Sequence, residues 1–192
     1  MVVVAVSIGA GLLAWLLLLP RFDEDDFTAS RIARESTGAL AAPQLVSGSA
    51  LKDFAADVDH AVYWLGPQEG FNYEYTRTAD GRVFIRYLPK GERIGSTASK
   101  FRFVATYPDP RAYDKVKETS KLKGSIVRKV RGGGLAVANT RGVEIVRATA
   151  VPLPSPPVFF ATRGSNLLVE VFDLSTQDAL RLVSSGQLRP VV

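Results

Sequence analysis

The sequence predicts an α+β fold, in which a single N-terminal transmembrane helix precedes a soluble domain of antiparallel sheet with three helices. Three observations lead to this prediction. Residues 2–19 carry no charged side chain and are almost all apolar. Farther along, segments rich in aromatic and β-branched residues are joined by short turns that contain glycine, which is typical of antiparallel strands. Three other segments show helical apolar spacing or helix-capping residues.

Residues 1–20 are the predicted membrane anchor. A helix rises about 1.5 Å per residue, so about 18 residues span roughly 27 Å, close to the thickness of the hydrocarbon core. A cleaved signal peptide is the alternative, and it fits less well because no basic residue precedes the apolar run and no A-x-A site directly follows it. The missing basic flank raises the hypothesis of a natural start codon upstream of Met1.

The predicted location is the cell membrane, with the soluble domain on the extracytoplasmic side. Basic residues follow the apolar run at Arg21, Arg31 and Arg34, so the positive-inside rule alone favours the opposite, cytoplasmic orientation. However, long domains translocate largely regardless of charge. The sequence also contains no cysteine, which is compatible with an exported domain without disulfides.

Residues 21–49 are predicted to form a flexible linker, and residues 50–192 the α+β domain. The linker begins with the acidic run 23–26 and continues with many small polar residues. Within the domain, the predicted order is one helix, four strands, a second helix, four or five strands and a third helix. We expect the helices to lie on one face of the sheet.

The first predicted helix follows Ser49, its expected N-cap, and has an apolar face near helical spacing. That face comprises Leu51, Phe54, Ala55, Val58 and Val62. A strand is predicted at residues 62–65 because aromatic and β-branched residues precede a Gly-Pro pair.

Two strands at residues 71–78 and 82–88 are predicted to form a hairpin around Asp80-Gly81, a strong two-residue turn signal. That turn would place Tyr75 opposite Arg86 and Arg77 opposite Phe84. Residues 101–107 alternate aromatic and polar side chains and predict another strand.

The second predicted helix is capped by Asp109 and starts with Pro110. Its expected apolar face comprises Ala112, Tyr113, Val116 and Ser120. A strand is predicted at residues 125–130, ended by three glycines, and a hairpin at residues 135–139 and 143–149.

Prolines between residues 152 and 157 predict an extended connection, because each removes a backbone donor. Residues 158–162 and 167–172 predict the last hairpin. The pattern from Ser175 to Asp178 predicts the start of the C-terminal helix, residues 176–184, with Gly186 after its end.

The net charge of +5 is concentrated in residues 109–131, which contain eight basic and three acidic residues, whereas the rest of the chain is neutral. The favoured interpretation of this segment is a solvated helix face with exposed lysines. The alternative is an anion-facing patch for lipid headgroups, an anionic polymer or nucleic acid. Nucleic acid is disfavoured because Tyr113 is the only aromatic residue there. The basic residues are Arg111, Lys115, Lys117, Lys121, Lys123, Arg128, Lys129 and Arg131.

No catalytic, cofactor-binding or metal-binding residue is predicted. His60 is the only histidine and there is no cysteine, so a usual zinc set cannot be assembled. The spacing Ser-x-x-Lys occurs at Ser49/Lys52 and Ser120/Lys123, but the companion motifs of penicillin-binding enzymes are absent. The acidic run 23–26 lacks the spacing of a calcium loop.

Three functional hypotheses follow. The first is a non-catalytic, membrane-anchored extracytoplasmic module that binds an envelope protein or an anionic polymer. The second is an envelope hydrolase whose residues are scattered through the fold and would converge in a pocket. The third is a cytoplasmic domain, tethered to the membrane, that binds an anionic partner through residues 111–131.

Overall fold

An eight-stranded antiparallel sheet organises the chain in the computed structural model, which describes residues 42–96, 100–139 and 153–192. The helices are α1 (Ala50–Ala56), α2 (Ala112–Thr119) and α3 (Thr176–Ser184). The strands are β1 (Gln44–Val46), β2 (Tyr63–Trp64), β3 (Phe71–Arg77), β4 (Val83–Pro89), β5 (Phe103–Pro108), β6 (Ile126–Val130), β7 (Gly134–Ala138), β8 (Val158–Thr162), β9 (Leu167–Phe172) and β10 (Arg189–Pro190).

The strand order in the large sheet is β1-β3-β4-β5-β9-β8-β7-β6, and β2 pairs with β10 in a separate two-stranded sheet. Every strand pair is antiparallel. The predicted α+β class, with a large antiparallel sheet and three helices, is therefore confirmed.

The predicted anchor at residues 1–20 and most of the predicted linker lie outside the described residues. Within the described ranges, no helix is both long and apolar enough to cross a bilayer. The sheet includes Gln44–Val46, which pairs with β3, so this part of the predicted linker, residues 21–49, is a strand.

The helices lie on both faces of the sheet, so the expectation that they share one face is wrong. The buried side chains of α3 pack in one core with Ala136 and Ala138 of β7. Val137, between them, packs in a second core with Val116 of α2. Successive side chains of a strand point to opposite faces. The central strands are therefore apolar on both faces, and each face needs its own cover.

The hairpin between β3 and β4 is shifted by one residue from the predicted register. Glu74 lies opposite Arg86, and Tyr75 lies opposite Ile85. The cause is a three-residue loop, residues 79–81, closed by the Thr78 amide donating to the Arg82 carbonyl oxygen at 2.9 Å. Gly81 has φ of 84°, the left-handed conformation that glycine adopts without a steric penalty.

The first two helices start and end differently from the prediction. Helix α1 ends at Ala56, so Val58 and Val62 are buried but follow the helix. Its first amide, that of Ala50, donates to the Ser47 side chain at 3.1 Å, whereas the expected cap, Ser49, makes no capping bond. Before α2, the Asp109 carboxylate accepts the Arg111 amide at 2.8 Å, but the regular helix begins only at Ala112.

The C-terminal part agrees closely with the prediction. Strands β8 and β9 form the expected hairpin, and α3 covers the predicted residues with the Ser175 hydroxyl accepting the Asp178 amide at 3.3 Å. Gly186 follows the helix with φ of 84°. The second strand of the hairpin predicted at 135–139 and 143–149 lies outside the described residues. Both edges of β7 are already paired, with β6 and β8.

Candidate functional site

The basic residues of segment 111–131 are distributed over three consecutive elements. Arg111, Lys115 and Lys117 belong to α2 or precede it, Lys121 and Lys123 lie in the loop that follows, and the last three lie on β6 or directly after it. Seven of the eight residues are exposed, and Lys115 is half-buried. The side chains therefore form a surface feature, which we call the basic segment, and take no part in the core.

Only two members of the basic segment are engaged with carboxylates among the described residues. Lys115 Nζ lies 2.5 Å from an Asp109 carboxylate oxygen, in a partly buried pair. Arg111 lies 3.8 Å from Glu118, and both side chains are well exposed. Such an exposed pair contributes little, about 0–1 kcal/mol. The described chain supplies no counter-charge for the other six cations, so they are available to an external anion.

Strand β6 brings part of the basic segment to the edge of the sheet. Among the described residues it pairs with β7 only, and it is the last strand of the eight. Arg128 and Lys129 are adjacent in this strand, so their side chains leave opposite faces of the sheet. Charged residues on an edge strand hinder edge-to-edge pairing with another chain. This structural role agrees with the interpretation of the basic residues as a solvated face. It is also compatible with binding an anion.

A buried acidic pair that the sequence analysis missed lies beneath α2. The Glu170 side chain on β9 is 2% exposed and accepts a 2.5 Å hydrogen bond from the Tyr107 hydroxyl on β5. Loss of hydration raises the pKa of Glu170 to about 7, although the Tyr107 hydrogen bond acts in the opposite direction. Burial and the neighbouring carboxylate raise the pKa of Tyr107 well above its usual value, so the phenol remains a neutral donor.

This pair lacks the access that a catalytic carboxyl needs. Glu170 lies between Ala105 and Phe159 of the neighbouring strands, both of which belong to the apolar core under α2. Glu170 is only 2% exposed, so the carboxyl has almost no contact with solvent. A substrate would have to displace core side chains to touch it, so the pair fits a role in stability rather than one in hydrolysis.

A second missed pair results from the shifted hairpin. Arg86 Nη1 donates to Glu74 Oε1 at 2.7 Å, and the Gly95 amide donates to Glu74 Oε2 at 2.6 Å. The Glu74 side chain is only 4% exposed. Arg86 also donates to the Ser96 carbonyl oxygen at 2.8 Å. This ion pair therefore ties the β4–β5 connection to the sheet, and correct assignment of the turn would have revealed it.

His60 and Ser120, which were considered as catalytic candidates, have structural partners. His60 Nε2 lies 2.7 Å from the Gly81 carbonyl oxygen, which holds the β3–β4 turn against the segment after α1. The Ser120 hydroxyl donates to the Lys117 carbonyl oxygen at 2.7 Å, so it serves the end of α2. In the part of the chain that the structure describes, no group of three His, Cys, Asp or Glu side chains could hold a metal ion.

Together, the fold and the basic segment define an α+β domain with a cationic sheet edge. No protein-family model, no curated protein and no solved structure matches this chain. Its function is therefore argued from its own residues.

Proposed function

We propose that the chain is a non-catalytic, membrane-anchored module on the extracytoplasmic side of the cell membrane, and that it binds an anionic partner through the basic segment. The observation that carries this proposal is the set of six cations without a carboxylate partner among the described residues. They comprise Lys117, Lys121, Lys123, Arg128, Lys129 and Arg131.

The distribution of charge supports a binding surface. The chain outside residues 109–131 is electrically neutral, so the potential of the molecule is dominated by this one segment. Oppositely charged partners are attracted toward such a surface before contact. Internal ion pairs would cancel that attraction, and six of the eight cations have none within the described ranges.

The uncharged run at residues 2–19 supports the membrane part of the proposal. A flexible linker over residues 21–43, the part of the predicted linker that precedes β1, would have a root-mean-square reach of roughly 26 Å, so the domain would remain close to the bilayer surface. The partner expected there is an envelope protein or an anionic polymer. Binding through exposed charges also needs no buried pocket. Among the described residues, the one carboxyl with a strongly raised pKa, Glu170, is enclosed in the core.

The orientation is tested with a C-terminal tag and an external protease. If the domain lies outside, protease added to spheroplasts removes the tag without lysis. Digestion that requires lysis would overturn the extracytoplasmic assignment and favour the cytoplasmic hypothesis.

Binding is tested with the full chain in a non-ionic detergent and immobilised dextran sulfate as the anionic probe. Retention is expected near 0.1 M salt and is expected to vanish near 1 M, because the Debye length falls from about 10 Å to about 3 Å. Lys117→Gln, Lys121→Gln and Lys123→Gln together should lower the salt concentration at which the chain elutes.

The matched control neutralises the same number of exposed cations outside the basic segment, namely Lys52→Gln, Lys90→Gln and Arg93→Gln. This control has the same net charge as the first variant, so the two differ only in position. Earlier elution of both variants by the same amount would reject a localised binding surface, as would retention that salt does not affect.

A further inference from the structure

We propose that the outer edge of β6 takes up an acidic, extended polypeptide segment as an added strand. This inference rests on the proposed function and names the class of its anionic partner. In strand addition, main-chain hydrogen bonds supply affinity, and side chains on alternate faces supply specificity.

The edge of β6 offers backbone groups and partly exposed apolar side chains to such a strand. β6 is five residues long and is paired on one side only within the described sheet. Ile126, Val127 and Val130 are half-buried. An added strand would bond to the free edge and cover the exposed parts of these side chains, which is favourable by about 25 cal/mol for each Å² of apolar surface removed from water.

The charges of β6 select an acidic occupant. Ile126 and Val130 pack in the core that contains α3, so Arg128 between them lies on that face. Val127 packs in the core beneath α2, so Lys129 lies on the other face. A partner with two consecutive acidic residues would therefore place one carboxylate on each face of the sheet, opposite one cation.

The same charges disfavour a second copy of the chain as the occupant. If two β6 strands paired antiparallel about their centre, Arg128 would lie directly opposite Arg128 of the other copy. Like charges in directly opposite positions are destabilising. Arg128 Nη1 also donates to the Val127 carbonyl oxygen at 3.0 Å, so the guanidinium lies against its own strand.

The experiment measures binding of a fluorescent peptide to the full chain in a non-ionic detergent. The probe is a β-prone octapeptide, Thr-Val-Thr-Asp-Glu-Val-Thr-Val. A second probe has the same sequence with N-methyl groups on alternate backbone amides, which keeps both charges and removes donors of the strand ladder. A third replaces the acids by Asn-Gln. We expect the first probe to bind, and the other two to bind about tenfold more weakly or worse.

Charge reversal on the protein locates the site. The double variant Arg128→Glu with Lys129→Glu is expected to bind the acidic probe about tenfold more weakly. It should instead bind a version of the peptide in which Lys-Lys replaces the two acids. The control, Lys52→Glu with Lys90→Glu, changes the net charge equally at exposed positions outside the basic segment, and its affinity for the acidic probe should stay within about twofold in about 0.15 M salt. Hydrogen exchange of wild-type amides 126–130 is expected to slow when the acidic probe binds, which needs no variant.

Each alternative outcome separates the two proposals. Equal binding of the N-methylated probe, or no slowing of exchange in β6, would overturn strand addition while leaving a charge-driven surface in place. Self-association through β6 would overturn the acidic occupant. If no acidic peptide binds and the chain is not retained on dextran sulfate, the proposed function is wrong as well.

Discussion

Glu170→Gln should remove a large part of the pH dependence of stability. The Glu170 carboxyl is enclosed in the core beneath α2, and the Tyr107 hydroxyl is its hydrogen-bond partner. Its pKa is raised from the usual 4.5 to about 7, so the folded chain holds this proton over a range in which the unfolded chain has released it. A glutamine keeps the shape and cannot ionise.

The magnitude follows from the two pKa values. One pKa unit corresponds to about 1.4 kcal/mol, so the shift amounts to roughly 3 kcal/mol. Because the folded pKa is the higher one, the stabilising effect of the proton is complete below pH 4.5 and is lost as the pH rises to about 7. Relative to the glutamine variant, the wild-type chain should therefore lose up to roughly 3 kcal/mol of unfolding free energy across this interval.

The assay is urea denaturation of both chains in a non-ionic detergent at several pH values. Near-ultraviolet circular dichroism can follow the transition, because the buried Trp64 ring packs edge-on against Tyr73 at 5.8 Å between centroids. Subtracting the two stability profiles cancels the contributions of all other titrating groups. The difference isolates the carboxyl at position 170.

Parallel profiles for the wild-type chain and the Glu170→Gln variant would refute this reasoning. So would a wild-type chain that gains stability relative to the variant as the pH rises. Tyr107→Phe supplies a check of the cause: the Tyr107 hydrogen bond lowers the pKa of Glu170, so its removal should extend the loss of stability to higher pH.

Two further substitutions test the packing and the ion pair of the sheet. Gly134→Ala should lower the unfolding free energy by about 1–3 kcal/mol, because a Cβ there would lie 2.5 Å from the Phe160 ring. Gly48→Ala, which meets only ordinary contacts from 3.5 Å, is the control, and equal losses would contradict the steric argument. Arg86→Ala should cost about 3 kcal/mol in urea denaturation, because it leaves the nearly buried Glu74 carboxylate without its ion-pair partner; a loss below about 1 kcal/mol would show that the pair is dispensable.

The local elements of this fold could be predicted from sequence because their signals are local. Ser175 and Asp178 identify the start of α3, since the capping bond joins residues three positions apart. The turn after residue 162 likewise joins β8 and β9, whose ends are close in the chain. Such features need no knowledge of the rest of the sheet.

Other features depend on contacts between distant residues, and the sequence analysis missed or misassigned them. The register of β3 and β4 depends on whether Asp80-Gly81 closes a two- or a three-residue loop, and both loops accept glycine. A one-residue difference in loop length changes which residues of β3 and β4 lie opposite each other along the whole hairpin. Glu170 appeared as one polar residue in an apolar strand, and only the pairing of β5 with β9 brings Tyr107 to it. The basic residues of β6 could be identified from the sequence, but only the strand order shows that they lie at an edge of the sheet.

The strand order also determines how far the cationic strand β6 lies from β1, the first described strand. The N-terminal part of the chain enters at β1, and β6 lies at the far side of the eight strands. Seven intervals of about 4.8 Å separate the outermost strands, so the path across the sheet is roughly 34 Å. If the chain is anchored as proposed, the attachment lies toward one edge of the sheet and the cationic strand at the other. A partner could meet β6 well to the side of the attachment point without any change in linker length.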